Sequence, residues 1–569
     1  MVTLALTPRN PPTAIPLRHV VVVGKEGVGK TELLASLTGK VAAASNFRGS
    51  TVAVQRYTRD DLVLLDTPGI LRRSDTQTTR LALAELDQKE VVLLVVSATS
   101  LDENLADMLP LVHGKRGIVV VTHWDRVQLG EAAFEAIERL SAEIGVPMIT
   151  VDARHLGESG QRKILEALQS PSLFQTDTPR QRAGWRIEPA PGILEHRFWG
   201  PVLGLLMVFS PALAAIFGAN ALAGWLHPIV EGWLEPVLVW IDATLPVWLR
   251  WILVSGEGDF GYGLLNMGPF LLVWALPTIV LFSLILALYK STGLIDRINA
   301  SLHPLVRPWG LSGRDVVRVM MGFGCNVPAV ISTRACSECS RNGAIAAISF
   351  GAACSYQLPA TLAVLAATAS ASGQSWMVLV FAFLGYLMLT TLLFVKLVAT
   401  PSGKDQLNVL MNAQRSFLEW PRPAAIGREV WSTLREFFVK ALPIFALICV
   451  LASLLARSGL LGQGASLLAP VMALFGLPAE TAVPVMLAAI RKDGIFLLAE
   501  GEALTVVQTL TAVYLASVTL PCLVTALTIG REQGLRSMSR LLLQQAGFGI
   551  ACSLLLAWGG WALFSLRMN

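Results

Sequence analysis

The sequence is poor in charged residues, and its first 324 residues contain no cysteine. Only 15% of its 569 residues are charged and 53% are hydrophobic, whereas soluble globular chains average about 25% charged residues. The deficit is concentrated after residue 197, so that residues 1–190 have the composition of an ordinary soluble domain. All seven cysteines lie in the apolar part, and an odd number of cysteines among apolar residues argues against a disulfide framework.

The sequence lacks the usual signals of a nucleic-acid-binding protein and of a protein with a cleavable signal peptide. No cluster of basic and aromatic residues indicates a nucleic-acid surface, and the net charge of +5 is modest. Residues 1–18 contain no apolar core of the kind that a cleavable signal peptide has. We therefore expect no nucleic-acid partner and a cytoplasmic amino-terminal domain. Insertion into membrane lipid is then directed by the first spanning segment.

A glycine-rich octet from Gly24 to Thr31 matches the phosphate-loop pattern G-x-x-x-x-G-K-[ST]. The apolar run at 19–23 before it predicts a buried strand. Backbone N–H groups of such a loop cradle phosphates, so that Lys30 is expected to reach the terminal phosphates and Thr31 to hold Mg²⁺. The alternative is a glycine-rich turn that caps a helix and binds no nucleotide. The predicted nucleotide-contacting residues of the loop are Gly24, Lys25, Glu26, Gly27, Val28, Gly29, Lys30 and Thr31.

Two switch segments follow in the order that a G protein uses. Gly49 and Thr51 stand where a first switch would complete the Mg²⁺ shell, and Asp66-Thr67-Pro68-Gly69 follows an apolar strand. Its Asp is expected to meet Mg²⁺ through water, and the N–H of its Gly to meet the terminal phosphate. Ile70 stands where a water-orienting glutamine would be, so slow intrinsic hydrolysis is expected. The predicted Mg²⁺ ligands are Thr31, Thr51 and Asp66, and the predicted catalytic residues are Lys30, Thr51 and Gly69.

The segment expected to recognise the base departs from the guanine pattern Asn-Lys-x-Asp. Thr122-His123-Trp124-Asp125 occupies that place, and its Asp125 can still accept hydrogen bonds from guanine N1–H and N2–H₂. The missing Asn is expected to remove a tether of the phosphate loop. Asp152-Ala153-Arg154 stands in the place of Ser-Ala-Lys/Arg, so that the N–H of Ala153 can meet guanine O6. GTP is the predicted nucleotide, and ATP stays open as an alternative.

Strands that alternate with helices predict an α/β P-loop G domain with a mostly parallel sheet. The predicted strands lie near 19–23, 51–56, 61–65, 91–96, 117–122 and 147–151. The predicted divisions of the chain are an amino-terminal tail at 1–17, the G domain at 18–170, a polar linker at 171–197, a first span with an interfacial or periplasmic segment at 198–265, a first repeat at 266–400, a cytoplasmic loop at 401–436 and a second repeat at 437–569.

Apolar segments after the linker predict an all-α polytopic membrane domain, because each is long enough to cross about 30 Å of hydrocarbon. The predicted spans are 199–222, 269–289, 344–369, 376–399, 437–456, 504–528 and 541–565. The stretches 313–333 and 478–499 are apolar but interrupted by Gly, Pro or charged residues, which predicts broken or re-entrant helices. The basic loop 400–436 is expected in the cytoplasm, and the acidic, Trp-rich segment 227–260 outside.

The membrane part contains an internal repeat. Ala275-Leu276-Pro277 recurs 166 residues later as Ala441-Leu442-Pro443, and several Gly, Leu, Pro and Met positions recur in the same register. Three spans and one broken element in each copy would insert the two copies with opposite topology, as in transporters whose substrate lies between inverted repeats. The register pairs Cys325-Asn326 with Arg491-Lys492, both at a break. Charge inside an apolar run is costly unless it lines a path or finds a partner.

These motifs resemble those of the ferrous iron transport protein B (FeoB) family. Gly322–Ala329 is similar to the family's first gate motif, and Asn46–Val52 is similar to its switch stretch. The resemblance implies a GTPase-gated importer of Fe²⁺ in a prokaryotic inner membrane, with GTP and Mg²⁺ at the G domain. It further implies Fe²⁺ contacts from Cys325, Asn326 and Cys522, with one gate cysteine in each repeat. A small SH3-like cytoplasmic companion is also implied, and a homo-oligomer is left open.

Three departures from that family leave other functions open. The 171–197 linker has no room for the helical domain that usually follows the G domain. Lys290-Ser291-Thr292-Gly293 replaces an acidic motif, which removes one expected metal contact. Cys336 and Cys339 have the spacing of a metal half-site without an obvious second half. Another divalent metal or an organic solute is therefore an alternative cargo, and a membrane-anchored signalling GTPase is an alternative of a different class.

Overall fold

A computed structural model of the chain forms two units, one up to Pro189 and one from Ala190 onward. Each unit has its own hydrophobic core and is described by itself. The structure describes residues 18–39, 51–59, 62–71, 76–128, 130–214, 218, 220–254, 264–265, 273, 276–354, 357–399, 415–421, 423–443, 446–447, 450, 454, 460–490, 492–499 and 504–568.

The amino-terminal unit is a mixed sheet with helices on both faces. Its strands are β1 Arg18–Val23, β2 Gln55–Arg59, β3 Leu62–Asp66, β4 Val91–Ser97, β5 Arg116–Thr122, β6 Met148–Thr150 and β7 Ser172–Leu173. Its helices are α1 Lys30–Thr38, α2 Gln77–Gln88, α3 Leu101–Val112, α4 Glu131–Ile144 and α5 Glu158–Gln169. The strand order is β2-β3-β1-β4-β5-β6, and β7 pairs with β5. The central strands are parallel and buried on both faces, which explains their uninterrupted runs of Val and Leu.

Two edge strands differ from the sequence prediction. The second strand begins at Gln55 rather than at residue 51, and it pairs antiparallel with β3. Residue 51 instead lies beside the phosphate loop, where its hydroxyl approaches Thr31. The short strand β7 was not predicted, and it pairs antiparallel with β5. The register of an edge strand is set by tertiary contacts that local propensity does not contain.

The chain after β7 stays on the amino-terminal unit. Phe174 is fully buried in the core on one face of the sheet. Trp185 donates its indole N–H to the carbonyl of Ala98 at 2.8 Å, and the backbone N–H of Ile187 donates to Thr99 O at 2.9 Å. Much of the segment predicted as the 171–197 linker therefore packs along the end of β4 and the start of α3 as an extended strap.

The carboxy-terminal unit is helical. Its helices are α6 Trp199–Ala214, α7 Asn220–Thr244, α8 Val247–Leu253, α9 Leu276–Thr292, α10 Leu294–Val306, α11 Gly313–Gly324, α12 Asn326–Ser332, α13 Glu338–Gly351, α14 Gln357–Ser372, α15 Trp376–Val398, α16 Pro423–Glu436, α17 Leu460–Leu474, α18 Ala482–Ile490, α19 Val506–Val518, α20 Leu523–Gln533 and α21 Leu535–Met568, and a 3₁₀ segment follows α18 at Lys492–Ala499. Among the described residues, three stretches are long and apolar enough to cross a membrane: Trp376–Val398, Val506–Gln533 and Leu535–Ala562.

Helix breaks change several of the predicted spans. The predicted span 344–369 is wrong as one helix, because α13 ends at Gly351 and Ala352–Cys354 is not helical. The helices α9 and α10 form one bent pair with an angle of 92°, and the end of α17 with α18 forms another at 113°. Within the predicted interfacial or periplasmic segment 227–260, α7 runs to Thr244 and α8 follows. Part of the predicted span 437–456 lies outside the described residues.

The internal repeat extends to the secondary structure. Elements α10, α11, α13, α14 and α15 recur about 166 residues later as α17, α18, α19, α20 and α21, and the first residues of α14 and α20 coincide in this register. Gly310 and Gly476, also 166 residues apart, both have positive φ, at 82° and 65°, where a residue with a Cβ would be strained. In the described part of each repeat, the chain breaks after α11 or α18, here called the first break, and again after α13 or α19, here called the second break.

Candidate nucleotide site and membrane breaks

The phosphate loop connects β1 to α1 and contains three glycines with positive φ. A Cβ at Gly24 would lie 2.2 Å from the carbonyl oxygen of Val95, so only glycine fits there. Gly29 has φ of 85° and begins the turn into α1, with the N–H of Leu33 donating to its carbonyl at 2.9 Å. Gly27 also has positive φ. The loop places backbone N–H groups at a helix N-terminus, which is an arrangement that binds anions.

Lys30 folds back over the loop. Its ammonium donates to the carbonyl oxygens of Gly24 at 3.0 Å and Lys25 at 2.9 Å, and its side chain is buried. Burial lowers the pKa of Lys30 from 10.5 to about 8, although the charges of Asp66 and Glu26 oppose that shift. A buried ammonium that donates to carbonyl oxygens can donate to a phosphate oxygen in their place.

The three predicted Mg²⁺ ligands lie together. Thr31 Oγ1 donates to Asp66 Oδ2 at 2.7 Å and lies 3.5 Å from Thr51 Oγ1. Asp66 is fully buried, and its second oxygen, Oδ1, has no hydrogen-bond partner. Burial raises the pKa of Asp66, because a carboxylate loses its water there. An unpartnered buried carboxylate oxygen beside two hydroxyls is a donor set that fits Mg²⁺, which prefers oxygen ligands.

The second switch lies against the phosphate loop. Thr67 donates its hydroxyl to Val22 O at 2.7 Å, and the N–H of Ile70 donates to Gly24 O at 3.1 Å. A Cβ on Gly69 would come within 2.3 Å of Glu26 Cγ, so the close approach requires glycine. Pro68 is buried between them. The predicted switch residue Gly49 lies outside the described residues.

Lys25 directs its side chain away from the loop and toward α3. Its ammonium forms ion pairs with Glu103 at 2.7 Å and Asp107 at 2.8 Å. Glu103 also lies 3.9 Å from the guanidinium of Arg186 in the strap, and Asp102 accepts the backbone N–H groups of Ala183 at 2.7 Å and of Gly184 at 3.0 Å. Within the amino-terminal unit, α3 therefore connects the phosphate loop to the strap.

The first base-recognition segment keeps a hydrogen bond to the phosphate loop, although it lacks the Asn of the guanine pattern. Thr122 is fully buried, and its Oγ1 donates to Val28 O at 2.6 Å and lies 3.1 Å from Val96 O. The predicted loss of a phosphate-loop tether is therefore wrong, because a threonine hydroxyl holds the loop where Asn was expected. His123 has φ of 54° and its Nδ1 lies 3.0 Å from Ser97 Oγ. Sequence reasoning missed this contribution of Ser97.

The second base-recognition loop lies beside the first. The N–H of Trp124 donates to Val151 O at 3.4 Å, which brings the two loops together. Ser36 in α1 donates to Ala153 O at 2.7 Å, so the phosphate-loop helix also holds this segment. Asp152 accepts from the N–H of Arg154 at 3.0 Å and contacts His155 Nδ1 at 2.7 Å. The carboxylate of Asp125 is about half exposed and is thus accessible to a ligand.

In the carboxy-terminal unit, Cys325 and Asn326 lie at the first break of the first repeat. Cys325 is exposed and separates α11 from α12. Asn326 is 5% exposed, and its Oδ1 has no hydrogen-bond partner. A Cβ on Gly322 would lie 3.1 Å from that oxygen, so the glycine preserves space around the amide.

Cys522 lies at the second break of the second repeat, immediately before α20. Its sulfur is 3.0 Å from Thr525 Oγ1. The helices that follow Cys325 and Cys522, α12 and α20, pack against each other. Within the described residues, no group of three or more His, Cys, Asp or Glu side chains is arranged to hold a metal ion.

Comparison with known proteins matches both halves of the chain. The family model described as Ferrous iron transport protein B matches residues 18–167, and the model described as Gate: Nucleoside recognition matches residues 272–369. These matches coincide with the phosphate-loop domain and with the first repeat. The chain is therefore similar to the ferrous iron transport protein B family over its amino-terminal domain and carries a Gate match in its first repeat.

Individual relatives of that family are distant. The Fe(2+) transporter FeoB of Helicobacter pylori (strain J99) is 26% identical over 360 residues, which cover 55% of this chain and 54% of the relative. The Staphylococcus aureus (strain COL) protein of the same name is 22% identical over 522 residues, covering 75% of this chain and 77% of the relative. The chain thus spans about half the length of the first of these relatives. A solved structure, NFeoB from S. thermophilus bound to GDP.AlF4- and K+, is 16% identical and covers 56% of this chain and 99% of that chain, with a TM-score of 0.24.

Three ion pairs of the carboxy-terminal unit involve residues outside the predicted sites. Lys290, which replaces an acidic family position, pairs with Glu429 in α16 at 2.7 Å, so its positive charge is neutralised. Glu532 at the end of α20 accepts from Arg334 at 2.8 Å and 2.6 Å and from Arg341 at 3.1 Å. The carboxylate of Glu532 is only 8% exposed, and it joins the second repeat to the first.

Proposed function

We propose that the chain imports ferrous iron across a prokaryotic inner membrane under the control of GTP binding and hydrolysis by its amino-terminal domain. The observation that carries this proposal is the pairing, in one chain, of a preformed oxygen site at Thr31, Thr51 and Asp66 with two repeats whose broken helices begin at cysteines. The family relatives named Fe(2+) transporter support the choice of cargo.

On the nucleotide side, residues of this chain would bind and orient the phosphates. The loop N–H groups would hold phosphates, Lys30 would supply a positive charge, and the N–H of Gly69 would reach the terminal phosphate. Thr31, Thr51 and Asp66 are the residues that would hold Mg²⁺, and the metal ion would neutralise phosphate charge. Ile70 offers no hydrogen bond to an attacking water, so hydrolysis is slow and suits a gate better than a stoichiometric pump.

On the membrane side, we infer that the metal path runs between the repeats. Cys325, Asn326 and Cys522 are the proposed contacts to Fe²⁺, since thiolates are soft ligands for transition metals. A site with few side-chain ligands binds weakly, and weak binding allows release. The proposed orientation has the G domain in the cytoplasm, with the repeats of opposite topology. An SH3-like companion and a homo-oligomer remain proposals from the family resemblance.

The decisive experiment is uptake of ⁵⁵Fe²⁺ and ⁵⁴Mn²⁺ into proteoliposomes that contain GTP, with the wild type, Lys30→Ala and Cys325→Ser compared. Loss of Fe²⁺ uptake in both variants supports a nucleotide-gated iron path through Cys325. Cys552→Ser, at a buried cysteine in α21, is the matched control and should leave uptake unchanged. Uptake of Mn²⁺ but not of Fe²⁺ would make another divalent metal the proposed cargo. Intact GTP hydrolysis without any metal flux would favour an organic solute or a signalling role.

A further inference from the structure

The last turn of α19 presents carbonyl oxygens that its own helix cannot satisfy. Terminal carbonyls of a helix lack intrahelical donors, and the residue four positions after Ser517 is Pro521, which has no N–H. The carbonyl oxygens of Ala516 and Ser517 instead accept from one side chain, the ammonium of Lys492, at 2.9 Å and 2.7 Å. A cation thus already binds the negative end of this helix.

The ammonium of Lys492 lies in a place suited to a metal ion. Lys492 is only 4% exposed and begins the 3₁₀ segment that follows the first break of the second repeat. Its two acceptors precede Cys522, which lies at the second break of the same repeat, by six and five residues. Carbonyl oxygens at a break that also holds a thiol are ligands that a divalent transition metal can use.

The equivalent position in the other repeat has the opposite chemistry. Asn326 precedes Lys492 by 166 residues and begins α12 as Lys492 begins the 3₁₀ segment. The amide oxygen of Asn326 is buried and has no donor, whereas Lys492 is itself a donor to two acceptors. One repeat offers an oxygen to a cation, and the other supplies the cation.

We propose that Lys492 is a tethered cation, which occupies a metal position formed by the carbonyls of Ala516 and Ser517 beside Cys522 until the transported divalent ion displaces it. The inference rests on the proposed transport function and adds the residue that closes the path. Two positive charges cannot share these acceptors in a medium of low dielectric constant, so entry of a metal ion requires the ammonium to leave. A 3₁₀ stretch within a broken helix is a common place for such a shift.

Metal binding tests the proposal without any need for transport. Full-length protein in detergent is titrated with Co²⁺, and the thiolate-to-cobalt absorption reports binding at cysteine. Lys492→Met should bind Co²⁺ at least about tenfold more tightly than the wild type, which corresponds to about 1.4 kcal/mol. The gain should vanish in the double variant Lys492→Met with Cys522→Ser. Lys290→Met removes a different buried ammonium and should leave the affinity unchanged.

A second variant distinguishes a tethered cation in a metal position from a lysine that only caps a helix. Lys492→Gln keeps hydrogen-bond donors but loses the charge, so a lysine that only caps α19 would be replaced by Gln without consequence. Under the proposal, Lys492→Gln resembles Lys492→Met and binds Co²⁺ more tightly. Wild-type affinity in Lys492→Gln, or unchanged affinity in both variants, overturns the proposal.

Flux through proteoliposomes distinguishes failure of this inference from failure of the proposed function. Without nucleotide, Lys492→Gln should admit Fe²⁺ several-fold faster than the wild type. If the wild type moves Fe²⁺ with GTP but the variant shows no added flux without it, the inference is wrong and the transport function stands. If no protein moves Fe²⁺ and the variants still bind Co²⁺ more tightly, the cation site stands and the transport function is wrong.

Discussion

The lowered pKa of Lys30 makes nucleotide affinity depend on pH in a calculable direction. In the nucleotide-free protein, burial lowers this pKa from 10.5 to about 8. A bound triphosphate places negative oxygens near the ammonium and favours its protonated form. Binding above pH 8 is therefore coupled to uptake of a proton, and affinity falls as the pH rises through the pKa of the free protein.

The size of the effect follows from the titration. At about pH 7 nearly all of Lys30 is charged, and at about pH 9 roughly one tenth is charged, so the dissociation constant rises about tenfold, or about 1.4 kcal/mol. The assay is titration of the full-length protein with a fluorescent GTP analogue at constant Mg²⁺ and ionic strength. The affinity should be nearly constant below the pKa and should weaken steadily above it.

Lys30→Arg is the matched control, because a guanidinium stays charged throughout this range. The nucleotide affinity of this variant is expected to be lower than that of the wild type. It should show no pH dependence that comes from residue 30. Guanine loses its own N1 proton at alkaline pH, and that effect is common to both proteins. An equal loss of affinity in the wild type and the Arg variant, or a wild-type affinity that is constant to about pH 9, would refute the reasoning.

Three other substitutions test the site and the membrane unit. Thr122→Val leaves the carbonyl of Val28 without its donor and should weaken nucleotide binding by about 1–3 kcal/mol, whereas Thr122→Ser should retain affinity in the same titration. Asp66→Asn should remove the difference between nucleotide affinities measured with Mg²⁺ and with EDTA, and a persistent difference would exclude Asp66 as a ligand. Glu532→Gln leaves two arginines without their carboxylate and should lower stability by about 3–5 kcal/mol. The unfolding temperature in detergent measures that loss, and Glu235→Gln at an exposed site should not change it.

The sequence predicted the nucleotide site well where its chemistry is local. The phosphate loop and the following switch depend on short motifs, and the structure brings Thr31, Thr51 and Asp66 together as those motifs suggested. The tether from Thr122 was missed because the hydroxyl reaches a carbonyl 94 residues away in the chain. A motif comparison records the absence of Asn but not the replacement of its hydrogen bond by another donor.

The membrane breaks were predictable only where the sequence carries a visible signal. The break at Cys325 follows two glycines and precedes Pro328, and those residues interrupt an apolar stretch. The break after Gly351 carries no charge or proline before Cys354, so hydropathy predicted one continuous span. At this break α13 packs closely on α15, since a Cβ on Gly351 would lie 2.3 Å from Thr391 Oγ1.

The repeat register also shows that the two gate cysteines are not symmetry mates. Cys325 lies at a first break and corresponds to position 491, whereas Cys522 lies at a second break and corresponds to position 356. Sequence symmetry alone would have paired Cys325 with a basic residue and would not have selected Cys522. Because the breaks are not equivalent, a metal position formed by the thiols is asymmetric. A tethered ammonium at Lys492 is then needed in only one repeat, and Asn326 can serve as a plain oxygen donor in the other.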